Sequence, residues 1–246
     1  MKKKILVANW KMNVGLKEGI KLSKSISKII KNNKKKFFIL LPSLQSIPSI
    51  KREPSLNKVK LGSQDCSQFG NGAYTGDVSA EMIKEIGCEY VLLGHSERRL
   101  YYDENDKILN KKIMIVQKQQ LKVIFCVGES LNEYKQEKGK EVVKRQILKT
   151  FYNNFDFNKL IIAYEPLWAI GQNRTPKMEE IDDITKFIKK LVYKKYKFDN
   201  IPVLYGGSVN SLNSKTIFSL ENVDGALVGG SSLKAKEFKK IYDDLN

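Results

Sequence analysis

The sequence predicts an α/β fold closed into a (β/α)8 barrel, and three observations predict it. Eight short aliphatic or β-branched runs recur along 246 residues, at 5–8, 37–41, 59–62, 90–93, 123–127, 160–164, 202–205 and 225–228. Each run leads through a polar turn into a longer, charged, amphipathic segment, so the repeat is one strand plus one helix of about 30 residues. The runs are continuously apolar rather than alternating, as parallel strands covered on both faces are. A doubly wound open sheet is the alternative. It usually announces itself by G-x-G-x-x-G after the first strand, and none is present. No Pro/Gly/Ser-rich linker divides the chain, so residues 1–246 read as a single barrel domain.

The first run follows Met1-Lys2-Lys3-Lys4, a basic start that imitates a signal peptide. Its apolar stretch ends at Asn9 with no long hydrophobic region or cleavage site, so no targeting segment is expected. Leu16, Ile20, Ile26 and Ile30 then fall near one helical face. The second run, at 37–41, is among the longest apolar stretches and is far too short to span a bilayer. The third leads into a segment from Gln64 to Val78 that carries Gly70, Gly72 and Gly76 and reads as a long loop. The fourth ends at Gly94 and His95, where Ser96 and Glu97 could open a helix. Ile108, Ile113, Ile115 and Val116 supply the next apolar face. The fifth holds Cys126. The sixth is followed directly by Glu165 and Pro166. Ile181, Ile184, Ile188 and Leu191 repeat helical spacing. The seventh and eighth end in Gly206-Gly207-Ser208 and Gly229-Gly230-Ser231.

Hydrophobic content of 41% and charged content of 29% describe a soluble, globular chain. The three cysteines, Cys66, Cys88 and Cys126, are odd in number and widely spaced. They fit neither a disulfide framework nor a zinc site, and point to a reducing cytoplasm. No metal or cofactor motif stands out. The formal net charge is +17, yet the lysines are spread over nearly every segment with no run longer than three. No aromatic-basic signature of a nucleic-acid module accompanies them. The charge reads as solvated surface, with no membrane or specific nucleic-acid partner. Its functional counterpart is a field that speeds encounter with a small anion.

Residues just past the strands of a barrel converge on one mouth. The polar residues there are Asn9 and Lys11 after the first strand, His95 after the fourth and Glu165 after the sixth. The glycine pairs follow the seventh and eighth, where barrels often grip phosphate through backbone N–H groups. Each has a bland reading. A lone histidine is more often idle than active, Asn9 and Lys11 suit an ordinary turn, and the glycines suit tight turns. Glu165 could simply mark a strand's end, and Cys126 reads as a small buried residue.

Taken together, these residues carry a pattern. The chain resembles the triosephosphate isomerases from end to end. The matching segments are Ala8-Asn9-Trp10-Lys11-Met12-Asn13, Gly72-Ala73-Tyr74-Thr75-Gly76 and Gly94-His95-Ser96-Glu97-Arg98-Arg99. Cys126-Val127-Gly128-Glu129, Ala163-Tyr164-Glu165-Pro166-Leu167-Trp168-Ala169-Ile170-Gly171, Tyr205-Gly206-Gly207-Ser208-Val209 and Leu227-Val228-Gly229-Gly230 complete the set.

The resemblance implies interconversion of dihydroxyacetone phosphate and D-glyceraldehyde 3-phosphate, without a cofactor. The family is a standard worked case of a glutamate base beside a neutral histidine electrophile, so these roles come with it: Glu165 takes a carbon-bound proton and His95 serves the oxygens. The start of a helix at Ser96–Glu97 would disfavour imidazolium. Lys11 stabilises the enediolate; a unit charge at about 4 Å and an effective dielectric near 20 contributes on the order of 4 kcal/mol. Asn9 orients substrate and lysine, and Glu97 is expected to pair with Lys11. Phosphate is implied to meet the N–H groups of Gly171, Ser208, Gly229 and Gly230. Residues 166–176 are implied to form a lid, with Trp168 its large side chain and Tyr164 and Glu129 partners for the indole in open and closed states. The loop from Gln64 to Val78 is implied to insert into a second copy, with Thr75 near the other site, giving a homodimer. The lid departs from the family's usual longer form at Asn173 and Arg174, where glycine and lysine are usual, and at Leu167, where valine is common. Those changes bear on lid kinetics. A barrel retained for binding alone is disfavoured because Asn9, Lys11, His95 and Glu165 are all present. A different phosphosugar isomerase is disfavoured by the 165–171 motif.

Overall fold

The computed structural model describes residues 4–30, 36–57, 59–152, 155–170 and 175–245. Eight parallel strands close in sequence order: β1 (Lys4–Asn9), β2 (Lys36–Leu41), β3 (Lys60–Ser63), β4 (Tyr90–Leu93), β5 (Lys122–Val127), β6 (Leu160–Tyr164), β7 (Val203–Tyr205) and β8 (Gly225–Val228). Closure is made where β8 pairs with β1, with Ile5 opposite Gly225 and Ala8 opposite Val228. All eight expected runs are strands, within a residue or two at each end. The fold is the (β/α)8 barrel that the repeat predicts.

The reason is visible in β1. Ile5 and Val7 point into the barrel, where they pack with Ile39, Leu92, Ile124 and Leu204. Leu6 and Ala8 point outward, into the layer between sheet and helices. Both faces are dry, so no position favours a polar residue. Each large side chain fully buried this way contributes roughly 1.5–3 kcal/mol.

The helices are α1 (Leu16–Ile29), α2 (Ile47–Lys51), α3 (Ala80–Glu85), α4 (Ser96–Tyr101), α5 (Asp106–Lys118), α6 (Leu131–Lys135), α7 (Gly139–Thr150), α8 (Met178–Tyr196), α9 (Ser214–Ser219) and α10 (Ala235–Asp244). Two helical faces differ from the periodicity read in the sequence. In α1 the buried residues are Gly19, Ser23 and Ile26, while Leu16 is exposed. Close packing selects small residues there: a methyl added at Gly19 would lie 3.1 Å from Ser46 Oγ. In α5, Ile113 and Val116 are buried as expected, but Leu109, Asn110 and Lys112 complete the buried face while Ile108 and Ile115 are only half-buried. Lys112 goes in because two carboxylates meet it, Asp65 at 2.7 Å and Glu104. Among the described residues, no helix is long and apolar enough to cross a membrane.

Candidate functional site

The strand ends of β1, β4, β6, β7 and β8 surround a cavity of about 190 Å3. Asn9, Lys11, His95 and Glu165 line one side. Gly207, Ser208, Gly229 and Gly230 line the other, with Ile170 at the rim.

Glu165 is fixed at its backbone by continuation of the β5–β6 ladder, its N–H donating to Val127 O at 2.7 Å. Its carboxylate is buried. Oε2 accepts the N–H of Ser96 at 3.0 Å, and Oε1 lies 3.3 Å from His95 Nε2. The arm runs past Gly206, where an added methyl would stand 2.8 Å from Glu165 Cγ. That glycine is therefore required by the carboxylate's path rather than by a turn alone.

His95 caps α4. Its Nδ1 accepts the N–H of Glu97 at 3.3 Å. With Nδ1 turned to the start of α4, Nε2 is the nitrogen that faces Glu165. Cys126 is buried beneath them. Burial, reinforced by the charge of Glu165, pushes its thiol well above its ordinary range, so it remains a neutral, unreactive SH.

Lys11 has φ of 52°, in the left-handed region that non-glycine residues rarely adopt. Two side chains hold it there. Asn9 Oδ1 accepts its N–H at 3.0 Å, and Gln64 Nε2 donates to its carbonyl at 2.9 Å. Its ammonium donates to Glu97 Oε1 at 2.6 Å. Sequence reasoning placed Gln64 only as the start of a loop. Its amide, next to the end of β3, is what ties that loop to the lysine.

Past Glu165, residues Leu167–Ala169 form a short 3-10 turn. Trp168 Nε1 donates to Glu129 Oε1 at 2.8 Å, and Tyr164 Oη donates to the same oxygen at 3.0 Å. The indole thus meets Glu129, with Tyr164 sharing the acceptor rather than replacing it. Trp168 also packs on Tyr134, ring centres 4.1 Å apart. Burial holds the Glu129 carboxyl above its usual range despite these bonds. Gly171, Gln172, Asn173 and Arg174 lie outside the described residues, and so do the expectations attached to them. Across the mouth, β8 ends at Val228, and Gly229 leads into a 3-10 turn, Gly230–Leu233. The side chain of Lys11 passes 3.4 Å from where a methyl on Gly229 would sit.

A carboxylate, an imidazole and a lysine at one barrel mouth, opposite two glycine-rich strand ends, are the equipment of an α/β-barrel enzyme. The family model described as triosephosphate isomerase matches residues 4–245, and the chain belongs to that family of isomerases. Similar curated proteins carry the same name. The triosephosphate isomerase of Phocaeicola vulgatus is 42% identical over 249 residues, covering 99% of both chains. That of Mycoplasma mobile is 40% identical over 242 residues, covering 97% of this chain and 98% of its own. That of Alkaliphilus oremlandii is 39% identical over 248 residues, covering 99% and 100%.

Proposed function

We propose that this protein interconverts dihydroxyacetone phosphate and D-glyceraldehyde 3-phosphate through an enediolate. The observation that carries the reading is the pair formed by Glu165 and His95, 3.3 Å apart, with the imidazole's other nitrogen already engaged by Glu97 N–H. Proton removal beside a carbonyl needs a base and an acid that act on neighbouring atoms. Glu165 removes the carbon-bound proton after its carboxylate leaves Ser96 N–H. His95 Nε2–H hydrogen-bonds the carbonyl oxygen as negative charge moves there, and passes protons between the two substrate oxygens. Glu165 then returns its proton to the neighbouring carbon. Atoms balance with no external reactant. Lys11 offsets the charge of the enediolate, and Asn9 keeps the lysine in its left-handed turn. Ser96 and Glu97 are supporting residues, the first parking the base and the second anchoring Lys11.

The phosphate is assigned to the backbone N–H groups of Ser208, Gly229 and Gly230, with Gly171 joining from the lid. Its binding energy supports closure and orientation. Trp168, held by Glu129, is the lid's anchor. A drier site strengthens each charge interaction within it and hinders loss of phosphate from the intermediate.

The protein is further assigned as one catalytic domain over residues 1–246, as a cytoplasmic enzyme of glycolysis and gluconeogenesis, and as a homodimer. Support for the dimer comes from the segment between Gln64 and Val78. It folds on itself through Ser67 Oγ to Asp77 at 2.6 Å and the stacked rings of Phe69 and Tyr74, 4.1 Å apart, while Thr75 stays exposed. Beside its base lies an open cavity of about 450 Å3 bordered by Arg98, Tyr102 and Lys112. Met12, Tyr101 and Tyr102 are solvent-exposed in the isolated chain.

The test supplies glyceraldehyde 3-phosphate and follows dihydroxyacetone phosphate with a coupling enzyme, for wild type and Glu165→Gln. Turnover by wild type and its near-complete loss in the variant are expected. No turnover of this substrate by wild type would refute the reading.

A further inference from the structure

We infer that Gln146, on α7, is a positioning residue for the reaction, holding the backbone from which both Glu165 and the lid anchor Glu129 are placed. The inference rests on Glu165 being the base.

The observation is a two-way bond between a side chain and the backbone of one residue. Gln146 Oε1 accepts Gly128 N–H at 2.9 Å, and Gln146 Nε2 donates to Gly128 O at 3.0 Å, all buried. Gly128 follows β5 directly. On its β6 side the ladder continues, through Glu165 N–H to Val127 O and Leu167 N–H to Glu129 O at 3.0 Å. On the other side β4 has ended: its last paired residue, Leu93, lies opposite Phe125. The N–H and C=O of Gly128 therefore face a position with no strand beside them. A buried, unpaired N–H and C=O are unfavourable. The primary amide of Gln146 supplies one donor and one acceptor in the same spacing as a neighbouring strand.

What packs on that residue makes the bond consequential. Gly128 packs so tightly on Glu165 that an added methyl would lie 1.8 Å from the Glu165 carbonyl oxygen. A shift of Gly128 is thus a shift of the base. The next residue, Glu129, receives Trp168 and Tyr164 on one oxygen. Gln146 is in turn fixed by Val142, Val143 and Ile147, which bury the same face of α7. One amide on a helix outside the barrel so sets the base and the lid anchor together. Gln146 touches neither the candidate cavity nor its reacting groups.

Two substitutions test this. Gln146→Met keeps the unbranched shape and removes both bonds. Displacing the base by about 1 Å lowers kcat on the order of 10²-fold, with KM changed less than roughly threefold. Gln146→Glu separates positioning from folding. A protonated carboxyl offers one donor and one acceptor, as the amide does, whereas the ionised form can only accept and repels Gly128 O. Burial keeps the new carboxyl protonated to higher pH than usual. The ratio of variant to wild-type kcat is therefore expected to be near one at low pH and to fall reversibly as pH rises, at constant far-UV circular dichroism. A ratio independent of pH, or wild-type kcat in folded Gln146→Met, would overturn the inference. Glu165→Gln, run beside them, keeps the two claims apart. If it turns over like wild type, the base assignment itself fails. If it is inactive while the Gln146 variants match wild type, only the positioning role fails.

Discussion

Gly206→Ala probes the route of the carboxylate without replacing a reacting group. The added methyl would stand 2.8 Å from Glu165 Cγ, 3.3 Å from Tyr164 O and 3.6 Å from Glu165 Oε1. Non-bonded carbons settle at about 3.5–4.0 Å, so the arm must retreat by about 1 Å. The backbone cannot retreat instead, because Gly206 N–H is held by Tyr164 O at 2.7 Å. A misplacement of that size lowers kcat on the order of 10²-fold, or about 2.7 kcal/mol of transition-state stabilisation. Crowding of this kind destabilises by roughly 1–3 kcal/mol, which at about 2–4 °C per kcal/mol leaves the protein folded at 25 °C. The assay is the coupled isomerase reaction, with thermal melts run on the same preparations. A kcat within threefold of wild type in folded Gly206→Ala would refute the claim that the glycine clears the base's path.

Three further expectations follow from the same geometry. Lys112→Met removes the ammonium that Asp65 and Glu104 share and leaves Arg98, 2.9 and 3.0 Å from them, as the cation between them; at the low end of the cost of breaking a buried ion pair, about 3 kcal/mol, the melting temperature should fall by roughly 6–12 °C, and an unchanged melt would show that the ammonium is not stabilising. Glu129→Gln keeps an oxygen for Trp168 and Tyr164 but cannot ionise. The fold holds the Glu129 carboxyl above its ordinary value of 4.5, so its contribution to wild-type stability is full below that pH and is lost as pH rises through the raised value. The variant should therefore melt above wild type at neutral pH and converge with it in acid, whereas equal melts at both pH values would contradict the burial argument. The net charge of +17 should steer a phosphorylated substrate, so kcat/KM should fall as ionic strength rises from 0.01 to 0.15 M and the screening length shrinks from about 30 to about 8 Å; a flat profile would mean that the charge is mere surface.

The barrel was legible because a strand buried on both faces has only one kind of sequence, and the chain repeats it eight times. Asn9, Lys11, His95 and Glu165 were legible for a related reason: strand ends in a barrel share one mouth, so distance along the chain does not separate them. What stayed hidden was polar and internal. Lys112 and Gln146 interrupt apolar helical faces, and at the level of periodicity a polar residue at such a position resembles a turn to solvent. The signal existed in α7, where Gln146 sits among Val142, Val143 and Ile147. Its meaning required knowing that β4 stops short and leaves the N–H and C=O of Gly128 with no strand partner on that side. The clearance role of Gly206 was hidden too, since a glycine pair at a strand end also suits phosphate binding.

The central claim is that Glu165 removes and returns a carbon-bound proton. Its most direct test incubates wild type and Glu165→Gln with dihydroxyacetone phosphate in deuterium oxide and reads the substrate carbons by NMR. Wild type is expected to isomerise and to place deuterium on the carbon beside the carbonyl, and both events are expected to be lost together in the folded variant. Isomerisation by Glu165→Gln at the wild-type rate, with the same deuterium incorporation, would contradict it.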